Sequence, residues 1–254
     1  MNKAASTSGA HPFKRYLAAG DSGVIVNFAD HDQNEATLLA RGLADTMRAE
    51  DDPLLAGVRD YIPGMANLLI QYDPLRITAA ELISLVAPRL SALKIDAIPE
   101  GRLWRLPVLY GGEAGPDLNE VAAKTGLSTD EVITRHSANI LTVAIMGFMP
   151  GLGYMKGVDP ALYLPRRPRP RQHVPALTVG IAMDQTVIYP LASPGGWNLI
   201  GRVPVRLFDP VREDPVLFRP GDRVAFEPVD ETMFRELWQK AEAGEAIISP
   251  ELPS

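Results

Sequence analysis

Residues 177–208, LTVGIAMDQTVIYPLASPGGWNLIGRVPVRLF, decide the fold. Short runs rich in aliphatic and β-branched residues predict strands at Leu177–Met183, Thr186–Tyr189 and Val203–Phe208. Gly and Pro interrupt each run before it reaches the length of a helix. Many short strands separated by such turns are typical of a closed or nearly closed β-barrel.

Further strands flank this stretch on both sides. The alternation of apolar residues in Trp104–Tyr110 predicts a strand, and apolar runs predict two more at Leu141–Met146 and Arg223–Glu227. A short helix is expected over Glu231–Ala243, because three large apolar residues recur there on one side. The C-terminal half is therefore predicted to be mainly β, with a helix after the last strand.

The N-terminal part has a different pattern. Tyr16–Ala29 reads as strand, turn and strand, and apolar residues at helical spacing predict a helix over about Asn34–Met47. Residues 57–72 predict a hairpin around Pro63-Gly64. Thr78 and Glu81 form a capping box that opens a second helix. The order β-β-α-β-β-α indicates a compact α+β unit.

The fold class that follows is an α+β N-terminal domain followed by a mainly-β barrel domain. We expect a disordered tail over residues 1–12 because its residues are small and polar. The α+β domain then spans 13–98, the barrel domain 100–230, and a C-terminal helix and tail 231–254.

Composition narrows the classes of function. The 254 residues carry a formal net charge of −6, which argues against a nucleic-acid partner, and there is no cysteine for thiolate chemistry. The four histidines lack the spacing of metal ligands, so no metal is expected. No stretch is apolar over the length of a signal peptide or membrane span, and the expected location is the cytoplasm, without a membrane partner.

Residues 117–138, DLNEVAAKTGLSTDEVITRHSA, resemble a DNA-binding helix-turn-helix in pattern. Acidic residues outnumber basic ones by two in this stretch, whereas DNA binding draws much of its affinity from Lys and Arg. Asp130 and Glu131 stand at the start of the second helix, where base contacts would be made. We therefore interpret the stretch as a structural helix pair between barrel strands.

The chemistry is expected in residues 147–206. Seven basic and two acidic side chains give this segment a net charge of +5 in a protein of −6. Such segregation fits a site for a carboxylate or phosphate, because arginine offers two parallel donors to these anions. Arg171 is the favoured ligand residue because it lies nearest the next predicted strand. For Arg166, Arg167 and Arg169, a solvated extended loop remains an equal alternative.

Three further features could belong to this site. Residues 193–197, SPGGW, offer backbone amides to an anion, although an ordinary turn would have the same sequence. Gln185 could hydrogen-bond an amide-like ligand or could simply occupy a hairpin turn. His136 and His173 are the candidate general acid–base groups, and a structural role for each remains open.

Several motifs, in order and spacing, resemble one known family. They are GDSGVIVNF at 20–28, GFMPGLGYMKG at 147–157, LPRRPRPRQHVPA at 164–176 and QTVIYPLASPGGWNLIGR at 185–202. The likeness covers about residues 14–230. This combination resembles the family of the 5-oxoprolinase B subunit (PxpB), which also includes the kinase inhibitor KipI and allophanate hydrolase subunit 1.

The resemblance implies a cyclophilin-like barrel and a component of an ATP-dependent hydrolase that converts 5-oxo-L-proline to L-glutamate. It implies a larger carboxyltransferase-like companion of the C type, a third chain of the A type, and ATP used by the complex. An inhibitor of a sensor histidine kinase and a urea- or allophanate-related protein remain alternatives. Carried over by motif, the substrate-binding residues are Arg171, Gln185, Ser193, Gly195, Gly196, Trp197 and Arg202.

The chain departs from the family's usual residues at a few positions. Ala176-Leu177 stands where Gly-Ser is usual, Met183 where Gly is frequent, and Leu152 where Phe is usual. Ala176-Leu177 and Met183 are larger than the residues they replace. We therefore expect a narrowed or altered pocket beside them, which affects the choice of substrate more than the fold.

Overall fold

The computed structural model describes residues 14–252, and the chain divides into two units between Ile98 and Pro99. Each unit has its own cluster of buried apolar side chains. The disordered tail predicted at residues 1–12 lies outside the described residues. The two units are described separately below.

The described part of the first unit contains four strands and two α-helices. In chain order they are β1 (Tyr16–Ala18), β2 (Gly23–Asn27), α1 (Gln33–Ala49), β3 (Val58–Pro63), β4 (Asn67–Tyr72) and α2 (Ala79–Ala92). The strands form one antiparallel sheet in the order β1-β2-β4-β3. Leu39, Leu43 and Met47 of α1 are buried in the core of this unit.

Side chains fix the start of both helices. Asp32 accepts hydrogen bonds from the amides of Asn34 and Glu35 at the start of α1. At the start of α2, Thr78 accepts from the amide of Glu81, and the Glu81 carboxylate accepts from the amide of Thr78 at 2.8 Å. These contacts satisfy amides that have no partner inside a helix.

The described part of the second unit contains nine strands and three α-helices. In chain order they are β5 (Leu103–Tyr110), α3 (Leu118–Thr125), α4 (Thr129–Ala138), β6 (Leu141–Met146), β7 (Gly153–Lys156), β8 (Arg171–Val174), β9 (Thr178–Ala182), β10 (Gln185–Ile188), β11 (Ser193–Gly195), β12 (Asn198–Arg202), β13 (Arg223–Pro228) and α5 (Glu231–Glu242).

Seven of these strands form a closed barrel in the order β10-β7-β6-β13-β5-β12-β9, and β9 pairs with β10 to complete it. Strand β13 runs parallel to β5, while the other pairs are antiparallel. The interior is filled by fully buried aliphatic side chains such as Leu106, Val143 and Ile181. The predicted closed barrel is thus confirmed. Strands β8 and β11 form a separate two-stranded ribbon.

One predicted strand is wrong. Val203–Phe208 is irregular apart from an isolated bridge between Phe208 and Val216, and the strand at this point is β12, which ends at Arg202. All residues of β12 except Arg202 are buried, so it shows no alternation of apolar and polar residues. Pro204 lacks an amide donor, which disfavours ladder pairing just after it.

The predicted helix pair is confirmed as α3 and α4, which lie in sequence between β5 and β6 and contact β12 and β13 respectively. Gly126 ends α3 in the left-handed conformation, and Ser128 and Glu131 form a capping box for α4. Over residues 14–252, no helix is long and apolar enough to cross a membrane.

Candidate functional site

One pocket of the barrel unit is built from segments that the sequence analysis singled out. It has a volume of about 270 Å³, which is below the range of roughly 300–1,000 Å³ typical of sites for drug-sized ligands. Its walls include Phe148, Tyr154, Arg166, Tyr189, Gly196 and Trp197. We call it the Trp197 pocket, and its size suits a small molecule.

Aromatic side chains and one guanidinium face each other in this pocket. Trp197 is buried, and its ring centroid lies 6.1 Å from that of Tyr154, with an angle of 50° between the rings. Arg166 is exposed and places Cζ 5.1 Å from the centroid of the Trp197 ring. Among residues 14–252, no carboxylate pairs with Arg166, so its positive charge remains available to a ligand.

Gly195 allows the backbone to approach a tyrosine closely. A Cβ atom at this position would lie 2.2 Å from the Tyr189 hydroxyl oxygen, which only glycine avoids. Gly196 lies further along the same turn, and its carbonyl accepts a hydrogen bond from the amide of Arg167 at 2.7 Å. The two glycines therefore hold the turn against both Tyr189 and the arginine-rich loop.

Tyr189 is the buried polar group at the back of the pocket. Burial raises the pKa of Tyr189 to about 12, because the buried site disfavours the charged phenolate. The Trp197 amide approaches the hydroxyl and opposes this rise of the pKa, but outside hydrogen-bond geometry. Within the described residues, the Tyr189 oxygen has no hydrogen-bond partner, and Gly195 covers it.

Arg171, the favoured anion ligand, is bound inside the protein. Its Nη2 donates to Oδ1 of Asp117 at 2.5 Å, and Arg167 Nη1 lies 3.3 Å from the same oxygen. Asp117 is buried, and its other oxygen accepts from the amide of Leu199 at 2.7 Å. Arg167 also contacts Glu120 at 2.7 Å. The charges of Arg167 and Arg171 are therefore compensated by acids of the chain itself.

Two other predicted residues, Gln185 and Ser193, do not line the pocket. Gln185 begins β10, is buried, and pairs with Ala182 of β9 and Lys156 of β7. Ser193 begins β11, and its hydroxyl donates to the carbonyl of Pro194 at 3.3 Å. Of the seven predicted substrate-binding residues, Gly195, Gly196 and Trp197 line the Trp197 pocket.

Arg202 lies in a different part of the barrel. Trp197 precedes the first residue of β12 and Arg202 ends the strand, a separation of roughly 15 Å along an extended chain. The Arg202 guanidinium stacks at 4.5 Å on the Trp238 ring of α5, and its Nε donates to the carbonyl of Ala176 at 3.1 Å. Burial lowers the pKa of Arg202. Arg202 lines a second pocket of about 700 Å³, with Phe234 of α5.

His136, the proposed catalytic residue, lies in the interior. Its side chain is 1% exposed and stacks on Phe226 with ring centroids 4.7 Å apart. Nδ1 shares a hydrogen bond with the Tyr110 hydroxyl at 2.7 Å, and Nε2 shares one with Thr186 at 3.0 Å. Burial lowers the pKa of His136 to about 3. The ring is therefore neutral, fully hydrogen-bonded and absent from the walls of the pocket. His173 in β8 is exposed.

Tyr154 and Tyr189 line the pocket although they are not among the predicted site residues, and Arg166 lines it as one of the two alternatives open for that residue. The signal for Tyr154 was present, because it belongs to the glycine-rich stretch 147–157 that was noted for its motif. Among the departures from the family pattern, Leu152 lines the pocket. Ala176, Leu177 and Met183 are not among its lining residues, and the expected effect of these positions on the pocket stays a prediction.

Comparison with known proteins agrees with the resemblance found in the sequence. A family described as "Carboxyltransferase domain, subdomain C and D" matches residues 14–218. The B subunit of 5-oxoprolinase from Escherichia coli O157:H7 is 43% identical over 180 residues, 70% of this chain and 81% of that protein. The B subunit of 5-oxoprolinase from Bacillus subtilis is 34% identical over 222 residues, 84% of this chain and 91% of that protein.

A solved structure shares the architecture. The crystal structure of TTHA0988 is 39% identical in sequence and superimposes with a TM-score of 0.70 over 82% of this chain. The match covers 40% of that longer chain.

Proposed function

This chain belongs to the family of the 5-oxoprolinase B subunit, and from that premise we propose that it is part of an ATP-dependent hydrolase that converts 5-oxo-L-proline to L-glutamate. The proposed partners are a larger carboxyltransferase-like chain of the C type and a third chain of the A type. The barrel is proposed to be of the cyclophilin-like type. The proposed place of action is the cytoplasm.

The observation that carries the proposal is the composition of the Trp197 pocket. A substrate such as 5-oxoproline has a small, flat ring and one carboxylate. The pocket offers the aromatic side chains of Tyr154 and Trp197 as walls for the ring and the unpaired guanidinium of Arg166 for the carboxylate. Sites for small ligands combine mainly apolar walls with a few placed polar groups in this way.

The proposed use of ATP belongs to the assembled enzyme and not to this chain alone. The sequence contains no GxxxxGK[ST] stretch, whose backbone amides would hold phosphates. The pocket contains one unpaired arginine, which is too little to balance a triphosphate. The proposal therefore gives no residue of this chain a role in ATP chemistry. The proposed task of the chain is to bind and orient the lactam.

The test is turnover by the complex reconstituted with its companion chains. We expect 5-oxoproline-dependent ATP hydrolysis and glutamate formation, and we expect Trp197→Ala to lower kcat/KM. Arg169→Gln is the matched control, because Arg169 is exposed and lies outside the pocket. Turnover no greater than that of the companion chains alone would contradict the proposal. Assays with allophanate, and of kinase autophosphorylation, would then test the two alternatives.

A further inference from the structure

The four arginines between residues 166 and 171, three in the loop before β8 and one at its first residue, differ in their contacts. Arg167 and Arg171 are bound to the buried carboxylate of Asp117, at 3.3 Å and 2.5 Å. Arg166 makes no ion pair within residues 14–252 and lies over the Trp197 ring at the wall of the pocket. Arg169 is exposed and does not line the pocket. One arginine of the four thus combines an uncompensated charge with a place in the pocket.

The backbone on both sides of Arg166 is fixed by the residues that flank Trp197. The carbonyl of Pro165 accepts a hydrogen bond from Nδ2 of Asn198 at 3.2 Å. The amide of Arg167 donates to the carbonyl of Gly196 at 2.7 Å. Asn198 is itself buried and also donates to the carbonyl of Ile181 in β9 at 3.1 Å. The backbone beside Arg166 is thereby connected to the barrel.

Arg166 lies over the Trp197 ring, and within residues 14–252 its guanidinium N–H groups donate to no side chain or carbonyl. An arginine over an aromatic ring uses its planar face, while its N–H groups point outward in the plane. These groups can donate two parallel hydrogen bonds to a carboxylate. Because the backbone on both sides of Arg166 is held before a ligand arrives, less conformational entropy is lost on binding.

We propose that Arg166 binds the carboxylate of the ligand in the Trp197 pocket and makes the pocket select anions over neutral analogues. This inference rests on the proposed function for the identity of the ligand. The roles of the arginines then differ from the expectation from sequence. Arg171 holds the loop against α3 and β12 through Asp117, and Arg166 binds the carboxylate of the ligand.

The test is calorimetric titration of the chain bound to its companion chains, without ATP. The ligands are 5-oxo-L-proline, its carboxamide, 2-pyrrolidinone and pyrrole-2-carboxylate, and the variants are Arg166→Gln, Arg166→Lys and the control Arg169→Gln. In the unmodified protein we expect 5-oxoproline to bind about tenfold or more tightly than its carboxamide, because a hydrogen bond to a charged group is lost in the amide.

Arg166→Gln should remove this preference by weakening the binding of 5-oxoproline while leaving that of the carboxamide unchanged. Arg166→Lys should retain part of it, and Arg169→Gln all of it. A preference that survives in Arg166→Gln would overturn the inference, as would failure of both carboxylates to bind. If pyrrole-2-carboxylate binds through Arg166 and 5-oxoproline does not, the role of Arg166 stands and the proposed substrate is wrong.

Discussion

Arg171 donates a hydrogen bond from Nη2 to Oδ1 of Asp117 over 2.5 Å, and the two residues lie 54 positions apart in the sequence. Asp117 precedes α3, and Arg171 begins β8. The other carboxylate oxygen accepts the amide of Leu199 in β12. One buried acid thus joins the start of the helix pair, the arginine-rich loop and the barrel wall.

Asp117→Asn should destabilise the protein. The substitution keeps the size of the side chain but leaves Arg171 without its counter-charge and Arg167 with Glu120 alone. We expect a loss of about 2–4 kcal/mol in the free energy of unfolding. Urea denaturation measures this loss. Glu120→Gln is the control, because Glu120 forms more exposed pairs with Lys124 and Arg167 that are worth about 1 kcal/mol or less. Equal losses in the two variants would show that Asp117 has no such joining role.

His136 should make stability fall in mild acid. The native ring stays neutral down to a pKa of about 3, whereas the unfolded chain takes up a proton near pH 6.5. The stabilisation is therefore complete above pH 6.5 and is lost as the pH falls towards 3, by up to about 1.4 kcal/mol per pH unit. The free energy of unfolding of His136→Gln, measured from pH 7 to pH 5, should lack this component. If the free energy of unfolding changed with pH in the same way in the variant and the unmodified protein, the lowered pKa of His136 would be refuted.

Tyr189→Phe should leave the free energy of unfolding unchanged or raise it by up to about 1 kcal/mol, because the buried hydroxyl forms no hydrogen bond. Tyr72→Phe is the matched control. Its hydroxyl donates to the carbonyl of Asp21 at 3.0 Å, and we expect a loss of about 1 kcal/mol. Thermal and urea denaturation compare the two. A larger loss for Tyr189→Phe than for Tyr72→Phe would mean that the Tyr189 hydroxyl has a partner in solution.

Gly195→Ala should disrupt the turn beside the pocket. The added methyl group would meet the Tyr189 hydroxyl at 2.2 Å, and we expect a destabilisation of about 1–3 kcal/mol together with weaker ligand binding. The double variant Gly195→Ala with Tyr189→Phe should recover part of the stability. Recovery stays incomplete because the ring carbon that bears the hydroxyl would still lie 2.7 Å away. No recovery at all would place the strain elsewhere.

Arg202→Gln should show that the two ends of β12 have different roles. Because Arg202 stacks on Trp238 and does not line the Trp197 pocket, we expect unchanged affinity for 5-oxoproline. The same variant should lose about 0.5–2 kcal/mol of stability with the cation–π contact. Calorimetry and denaturation measure the two effects. A clear loss of affinity would return Arg202 to the substrate site, as the sequence analysis expected.

The barrel could be predicted from sequence because its signals are local. Gly and Pro mark the turns, and the residues of β5 that alternate in the sequence as large apolar side chains, Trp104, Leu106 and Val108, are all buried. Strand β12 escaped prediction because nearly all of it is buried, so nothing in its sequence marks a solvent face. Its neighbour Pro204 lies in a run that looks equally apolar but forms no ladder.

The site was predictable in its turn residues but not in its charges. The stretch at 193–197 contains the Gly195, Gly196 and Trp197 that line the pocket. Asp117 pairs with Arg171 and Arg167 and leaves Arg166 without an acidic partner in the described part of the chain. Because Asp117 lies far away in the sequence, no local pattern reveals these pairs. The burial of His136 could not be predicted from its own helix either, because it results from packing against Phe226 of β13.

The parallel pairing of β5 with β13 places the first and last strands of the second unit side by side, and β13 also pairs with β6. A polypeptide emerging from the ribosome therefore cannot close its barrel until Pro228 has been synthesised. The matched family region ends at residue 218, ahead of β13. A protein truncated there would expose unpaired edges on β5 and β6, and such edges invite aggregation. A recombinant fragment that contains the barrel should therefore extend at least to Pro228.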